Sequence, residues 1–266
     1  AIAAAPIYNN EGVGVITPSA TSPALTEGKN FHFIFRTIGR DDQQGPAAAK
    51  FIINKAKPKK VAVLHDKQSY GQGIAASVRD ELKKANVDVA LFEGINAGDS
   101  DYSAVITKLK SAGADFVYYG GYHPEMGLLL RQAAEQGLKV RMMGPEGVGN
   151  PEINAIAGNA VEGMLVTLPA DPASKPENAA LVKAFKDKGR DPSGAFQMGA
   201  YTATQVLAQS IKAVGDDAEK VADYLHKTTF NMPTGNVAWD AKGDLKAFDF
   251  PVYSWHKDGS KSVAEK

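Results

Sequence analysis

The chain has 266 residues, of which 44% are hydrophobic and 23% charged, as in ordinary globular domains. Its 30 basic and 30 acidic residues cancel, so the chain lacks the positive field that binding to nucleic acid or to an anionic membrane surface requires. Cysteine is absent, which excludes disulfides, thiolate metal sites and a cysteine nucleophile. We therefore expect a globular protein of one or two domains, with no nucleic-acid partner.

The first segment predicts the end of a helix followed by a short buried strand. Residues 2–11 have helical character and residues 12–16 form an apolar run. The loop after this strand carries the small hydroxyl residues Ser19 and Thr21, and such loops offer hydroxyl and backbone groups to a ligand. Because the chain opens without methionine and inside a helix, we expect that it starts in the middle of a larger protein.

From Lys60 onward, predicted strands and helices alternate regularly. The predicted strands are residues 61–66, 88–94, 116–121, 140–144 and 163–169. Each strand is a nearly continuous apolar run, as in strands that are covered on both faces. Helical patterns separate the strands and end at Gly or Asn. This alternation predicts a parallel, doubly wound α/β domain.

The rest of the chain predicts mainly helices and then a short β region. Helical spacing recurs at residues 179–188, 194–214 and 217–227. Residues 235–260 alternate with period two between turn residues, which indicates antiparallel or edge strands.

A ligand pocket is predicted where neighbouring parallel strands end. Tyr122 follows one strand and Glu146 follows the next, and open α/β sheets bind their ligands at such ends. Glu146 lies in a Gly-Pro-Glu-Gly turn, where it is either an exposed loop residue or a partly desolvated counter-ion for a cationic group. Tyr70, Tyr122 and Phe196 offer apolar faces near loop or helix ends, although each also fits simple packing.

Catalytic signatures are mostly missing. The chain has no phosphate-cradling P-loop, no H-E-x-x-H and no G-x-S-x-G. His65 and His123 lie near predicted strand ends, so an enzyme using one of them with Glu146 as an acid/base pair stays a second hypothesis; we favour hydrogen bonding of turns for both. The other three histidines share no ligand spacing, so we expect no metal site and no cofactor.

Six segments carry a resemblance to a known family: HDKQSYGQG, DFVYYGGYHPEMG, MGPEGVGN, EGMLVT, DPSGAF and WDAKGDLKAFDF. They resemble the periplasmic branched-chain amino-acid binding proteins, the leucine/isoleucine/valine receptors of ABC importers, and the match is collinear from about Pro6 to the end. The resemblance implies the type I periplasmic-binding fold, in which two doubly wound α/β lobes are joined by a three-stranded hinge and close on a ligand. The first lobe would hold residues 1–40 and 170–249, and the second residues 41–169 and 250–266.

The resemblance also implies how the ligand is held. The α-ammonium would contact Glu146, the Thr21 hydroxyl and the Ser19 carbonyl. The α-carboxylate would contact the Thr21 amide and the Tyr122 hydroxyl. An ammonium group taken from water needs a charged partner and further acceptors, so this assignment agrees with the chemistry of the residues themselves.

Tyr70 and Phe196 would line the pocket for the ligand's side chain. The implied function is a periplasmic, monomeric receptor without catalysis, which captures a branched-chain or other aliphatic amino acid and delivers it to the membrane permease of an ABC importer. A related receptor for an amide, an aromatic amino acid or γ-aminobutyrate is the alternative.

The family's first strands and helices have no counterpart in this sequence, so we expect a truncated first lobe. Because a doubly wound sheet places its first strands centrally, that lobe should have few strands and should expose apolar residues near Val13, Val15 and Ile16. The second lobe should be complete. We also expect weaker amino-acid binding than in a full-length family member.

Overall fold

The computed structural model describes residues 1–264. The helices are α1 (Ala5–Asn10), α2 (Asp41–Phe51), α3 (Ser69–Lys84), α4 (Ser103–Ala112), α5 (His123–Glu135), α6 (Ile153–Ala157), α7 (Ala179–Asp187), α8 (Gln197–Val214) and α9 (Ala218–Lys227). The strands are β1 (Val15–Thr17), β2 (Ile34–Arg36), β3 (Val61–His65), β4 (Val89–Gly94), β5 (Phe116–Gly120), β6 (Arg141–Gly144), β7 (Met164–Thr167), β8 (Phe230–Met232), β9 (Gly235–Val237), β10 (Val252–Trp255) and β11 (Lys261–Val263).

Local sequence explains why helices form at these positions. In α3, the apolar residues Ile74, Val78 and Leu82 recur every four residues, so they share one face, and that face is buried. Helix α4 ends at Gly113, which has a positive φ of 68° that glycine adopts without steric cost. In the described part of the chain, no helix combines the length and the apolar character needed to cross a bilayer.

The chain divides into two compact units, and it passes from one to the other three times. Unit 1 comprises Ala1–Arg40 and Pro169–Asp249, and unit 2 comprises Asp41–Leu168 and Phe250–Lys266. The assignment of lobes made from the sequence, 1–40 with 170–249 and 41–169 with 250–266, stays a prediction, as does their movement about a hinge.

Unit 2 is built on a mixed sheet. Among the described residues its strand order is β11-β10-β7-β6-β5-β3-β4. Strands β3 to β7 are parallel, whereas β10 is antiparallel to β7 and to β11. Every residue of β3 and β5 is buried, in agreement with their continuous apolar sequences. The period-two pattern of the C-terminal region thus corresponds, in part, to the antiparallel edge of this sheet.

The direction of the chain connections reverses at one point of the unit 2 sheet. Strand β3 lies between β4 and β5, so the connection that follows β3 leads to one side and the connections that follow β5 lead to the other. Helix α2 packs against α3, and α5 packs against α6. In open α/β sheets, ligands generally bind outside the carboxyl ends of the strands at such a reversal, which in unit 2 lies at β3 and β5.

Unit 1 contains fewer and shorter strands. Within residues 1–264 its strands form two separate pairs, β1–β2 (parallel) and β8–β9 (antiparallel). An apolar cluster that includes Phe35, Val206 and Trp239 fills its interior. Val13 is exposed as predicted, whereas Val15 and Ile16 are half-buried at the edge of a groove, because Ile16 packs against this cluster.

A buried ionic network also holds unit 1 together. The fully buried Arg36 places its Nε 2.7 Å from Oδ1 of Asp244, and Arg40 places Nη1 2.7 Å from Oδ2 of the same carboxylate. The Thr26 hydroxyl donates to this carboxylate at 2.9 Å. The network therefore ties residues near the start of the chain to residues more than two hundred positions later.

Candidate functional site

Three loops meet at the carboxyl ends of adjacent strands in unit 2. Tyr70 lies in the first turn of α3, just after β3, and Tyr122 immediately precedes α5, just after β5. Glu146 follows β6 and begins a short 3₁₀ turn, Glu146–Val148. Because β3, β5 and β6 are consecutive in the sheet, these three side chains are brought to one edge of it.

The Glu146 carboxylate is buried and is held on both oxygens. Only 4% of the residue is exposed, so the interpretation of Glu146 as an exposed loop residue is wrong. The Tyr70 hydroxyl donates to Oε1 at 2.8 Å, and the Gln44 amide donates to Oε2. Both donors are neutral, so these two hydrogen bonds orient the carboxylate without cancelling its charge.

Close packing explains why a glycine, Gly147, follows the buried glutamate. A Cβ at this position would lie 2.7 Å from the carbonyl oxygen of Gly121 and 3.0 Å from the Tyr70 ring. The Gly147 amide also donates to the Tyr70 hydroxyl at 3.3 Å. The Gly-Pro-Glu-Gly sequence thus lets the turn approach Tyr70 closely enough for the tyrosine to hold Glu146.

Tyr70 and Tyr122 together form an aromatic wall. Their ring centroids lie 5.2 Å apart at an interplanar angle of 41°. Burial, followed by the charge of Glu146, raises the pKa of Tyr70 well above its usual value. Burial and the nearby charge of Asp66 raise the pKa of Tyr122. Both hydroxyls therefore stay protonated at neutral pH and remain hydrogen-bond donors.

The other three predicted residues belong to unit 1. Ser19 is exposed and Thr21 is buried in the loop after β1, and the half-buried Phe196 immediately precedes α8. A Cβ at Gly199 in α8 would lie 3.6 Å from Pro18, so the start of α8 adjoins this loop within unit 1. The structure thus groups Tyr70, Tyr122 and Glu146 in unit 2, and it groups Ser19, Thr21 and Phe196 separately in unit 1.

Gln44 is a site residue that the sequence analysis missed. It is buried in α2, where its amide nitrogen donates to Glu146 and its Oε1 has no hydrogen-bond partner among residues 1–264. Its neighbour Gly45 packs so closely on α3 that a Cβ there would meet Ser77 at 2.2 Å. The available signal was the pair Gln44-Gly45 in the first turns of α2.

The two histidines of the enzyme hypothesis take part in local contacts. His65 is buried, burial lowers its pKa, and its Nδ1 accepts a hydrogen bond from the Lys67 amide at 3.1 Å. His123 places Nε2 3.3 Å from Glu152. These contacts agree with our preferred interpretation, in which each histidine stabilises a turn or a helix start.

The chain matches the family described as "Periplasmic binding protein" over residues 1–260 and belongs to that family. The "Leucine-, isoleucine-, valine-, threonine-, and alanine-binding protein" of Pseudomonas aeruginosa is 58% identical over 257 residues, which are 96% of this chain and 69% of the relative. The "Leu/Ile/Val-binding protein" of Escherichia coli is 48% identical over 262 residues, 98% of this chain and 71% of the relative.

Solved structures confirm the predicted fold. The leucine binding protein LivK from Thermotoga maritima has a TM-score of 0.89 at 31% identity, with 98% of this chain and 75% of that chain covered. The substrate binding protein LivJ from Streptococcus pneumoniae, solved in complex with isoleucine, has a TM-score of 0.87 at 26% identity, with coverages of 99% and 75%. The fold is therefore the type I periplasmic-binding fold.

Proposed function

We propose that this chain is the solute-binding receptor of an ABC importer and that its ligand is a branched-chain or other aliphatic α-amino acid. The observation that carries the proposal is the buried Glu146 carboxylate, which Tyr70 and Gln44 hold at the carboxyl ends of the unit 2 strands. The names of the similar proteins from Pseudomonas aeruginosa and Escherichia coli support this ligand class.

In this proposal the ligand's ammonium group binds Glu146. Burial of an ammonium group is unfavourable unless a charged, hydrogen-bonded partner replaces water, and an oriented carboxylate provides that partner. The Tyr122 hydroxyl donates to the ligand's carboxylate. Thr21 and the Ser19 carbonyl of unit 1 complete the polar contacts, as the family resemblance implies.

The aromatic residues set the preference for the ligand's side chain. Tyr70 and Tyr122 present a continuous aromatic surface beside Glu146, and Phe196 is assigned to the same pocket from unit 1. An aliphatic side chain gains about 0.8 kcal/mol for each methylene that it buries against such a surface. We propose further that the protein acts as a periplasmic monomer, passes its ligand to a membrane permease and performs no chemistry on it.

The test is the affinity of Glu146→Gln for leucine, measured by calorimetry. We expect binding to weaken by about 2 kcal/mol or more, because the amide keeps the shape of the side chain but removes the charge that faces the ammonium group. Glu152→Gln is the matched control, since Glu152 is also in unit 2 but is exposed and pairs with His123. Equal affinities of the two variants for leucine would show that Glu146 does not bind the ligand's ammonium group.

The same samples separate a receptor from an enzyme. Leucine should be bound stoichiometrically and recovered intact after prolonged incubation. Conversion of leucine that is lost in Glu146→Gln would instead support the acid/base hypothesis with His65 or His123.

A further inference from the structure

Three side chains that are far apart in the sequence converge on the surface of unit 1. His32 lies in the loop before β2, and Glu219 and Asp223 lie in α9. Glu219 and Asp223 are four residues apart, so they project from the same face of the helix. The sequence analysis found no ligand spacing for His32 because its neighbours in space lie almost two hundred residues away.

The separations of His32 from the two carboxylates are close to those of ligands in a metal site. His32 Nε2 lies 3.3 Å from Glu219 Oε1 and 3.5 Å from Asp223 Oδ1, and the three ligand atoms all lie within 4.8 Å of one another. Zinc bonds of about 2.0–2.2 Å in a tetrahedral arrangement place neighbouring ligand atoms roughly 3.4 Å apart. The side chains could therefore coordinate an ion with little rearrangement.

One ring nitrogen of His32, Nε2, points into this cluster. The side chain is 34% exposed as a whole, yet Nε2 itself is buried and has no hydrogen-bond partner within residues 1–264. An imidazole nitrogen that carries no proton and a carboxylate oxygen are both acceptors, so a proton or a metal ion has to lie between them. A metal ion would satisfy the nitrogen and both carboxylates at once.

Neighbouring residues hold two of the three ligands in place. The His226 ring stacks on the His32 ring with centroids 5.1 Å apart, and His226 Nε2 lies 3.2 Å from the His32 carbonyl oxygen. Lys227 donates to Oδ2 of Asp223 at 2.7 Å, while Oδ1 faces His32. Such supporting contacts are typical of metal ligands.

We propose that His32, Glu219 and Asp223 form a binding site for Zn²⁺ or a chemically similar divalent transition metal. One imidazole nitrogen and two carboxylate oxygens favour such an ion over Ca²⁺ and Mg²⁺, which prefer oxygen ligands alone. The fourth position of the tetrahedron is taken by water. The bound ion links the loop before β2 to α9 within unit 1, so it stabilises this unit by binding its folded form.

The test is a calorimetric titration of the untagged, metal-free protein with Zn²⁺ alone. We expect one equivalent of Zn²⁺ to bind and to raise the melting temperature, whereas Ca²⁺ and Mg²⁺ at the same concentration produce neither effect. His32→Ala and Glu219→Gln should each weaken zinc binding by about tenfold or more. Glu219 is largely exposed, so its variant tests the site even if His32→Ala impairs folding.

His123→Ala is the matched control, because His123 also contacts an exposed carboxylate, Glu152, at 3.3 Å. Its zinc affinity should equal that of the unaltered protein. The proposal is overturned if the unaltered protein binds no zinc, or if zinc binds equally well to His32→Ala and Glu219→Gln. Either result would show that the three side chains do not bind a metal ion in solution.

Discussion

The two units of this protein are stabilised in different ways. Unit 2 buries a continuous sheet in which every residue of β3 and β5 is buried, and helices pack on it. Unit 1 has only paired strands within the described residues, and it places a charged network in its interior. Unit 2 therefore relies mainly on apolar packing around one sheet, whereas unit 1 combines a smaller apolar cluster with the pairing of a few buried charges.

Surface composition shows the same difference. Of the eight large hydrophobic residues that are exposed in residues 1–264, six lie in unit 1: Ile2, Ile7, Tyr8, Val13, Leu207 and Ile211. Tyr122, one of the two in unit 2, belongs to the candidate ligand site. Exposed apolar residues are thus concentrated in unit 1, where Leu207 and Ile211 line a groove together with Val15 and Ile16.

The largest effect is expected at the charged network of unit 1. Asp244→Asn should destabilise the protein by about 3–5 kcal/mol, because it leaves the buried Arg36 without its charged partner. Hydrogen exchange should show the loss of protection in unit 1, with that of unit 2 largely preserved. Asp187→Asn, also in unit 1, is the control, since its pair with Lys183 is exposed and contributes little. Equal effects of the two substitutions would contradict the importance of the network.

Removing the same side chain from each unit compares their apolar packing. Leu165 in β7 is 0% exposed and belongs to the sheet's core, whereas Leu207 in α8 is 37% exposed. Leu165→Ala should lower the free energy of unfolding by about 2–5 kcal/mol, because apolar surface is no longer buried and a cavity forms. Leu207→Ala should cost about 1 kcal/mol or less in the free energy of urea unfolding. A large cost at Leu207 would mean that the apolar surface of unit 1 is covered in solution.

The smallest effect concerns the dependence of stability on pH, to which two buried aspartates should contribute with opposite signs. Burial raises the pKa of Asp244, but its contacts with Arg40 and Arg36 outweigh burial, so the net pKa is lowered. Its stabilising contribution is present above the pKa of the unfolded chain and is lost as the pH falls. Burial raises the pKa of Asp66 in unit 2, and the charge of Glu125 adds to this, so Asp66 costs stability as the pH rises.

Asp66→Asn should therefore raise the free energy of unfolding by about 1 kcal/mol or less at neutral pH. The amide oxygen can still accept the 2.9 Å hydrogen bond from the Gln68 amide, while the charge is removed. Urea unfolding at several pH values is the measurement, and the gain should disappear as the pH is lowered. A loss of stability at neutral pH would show that contacts of the ionised Asp66 in the folded protein outweigh the cost of its burial.

The sequence predicted the α/β alternation because its signals are local and repeated. Apolar runs such as Phe116–Gly120, separated by helices that end at glycine, locate the strands of unit 2 without any knowledge of tertiary contacts. Tyr122 and Glu146 could be placed at the same edge of the sheet because the ends of parallel strands meet there. The burial of Glu146 required the structure, since the turn alone is equally compatible with exposure.

Contacts between distant parts of the chain could not be predicted from one sequence. Gln44 meets Glu146 across about a hundred residues, and helical spacing in α2 carries no sign of that partner. His32 meets α9 in the same way. The antiparallel edge of the unit 2 sheet was recognised from its period-two pattern, but its neighbour, β7, follows only from the structure.

The pairing of β10 with β7 has a consequence for folding during synthesis. Strands β3 to β7 leave the ribosome as a contiguous block, yet β10 pairs with β7 only after residues 169–249 have been made. Until then the β7 edge presents unpaired backbone groups, which invite pairing with other chains. The unit with the larger core is therefore the one that stays vulnerable to aggregation for longest on a nascent chain. Its completion requires closure of a long loop that contains most of the helices of the other unit.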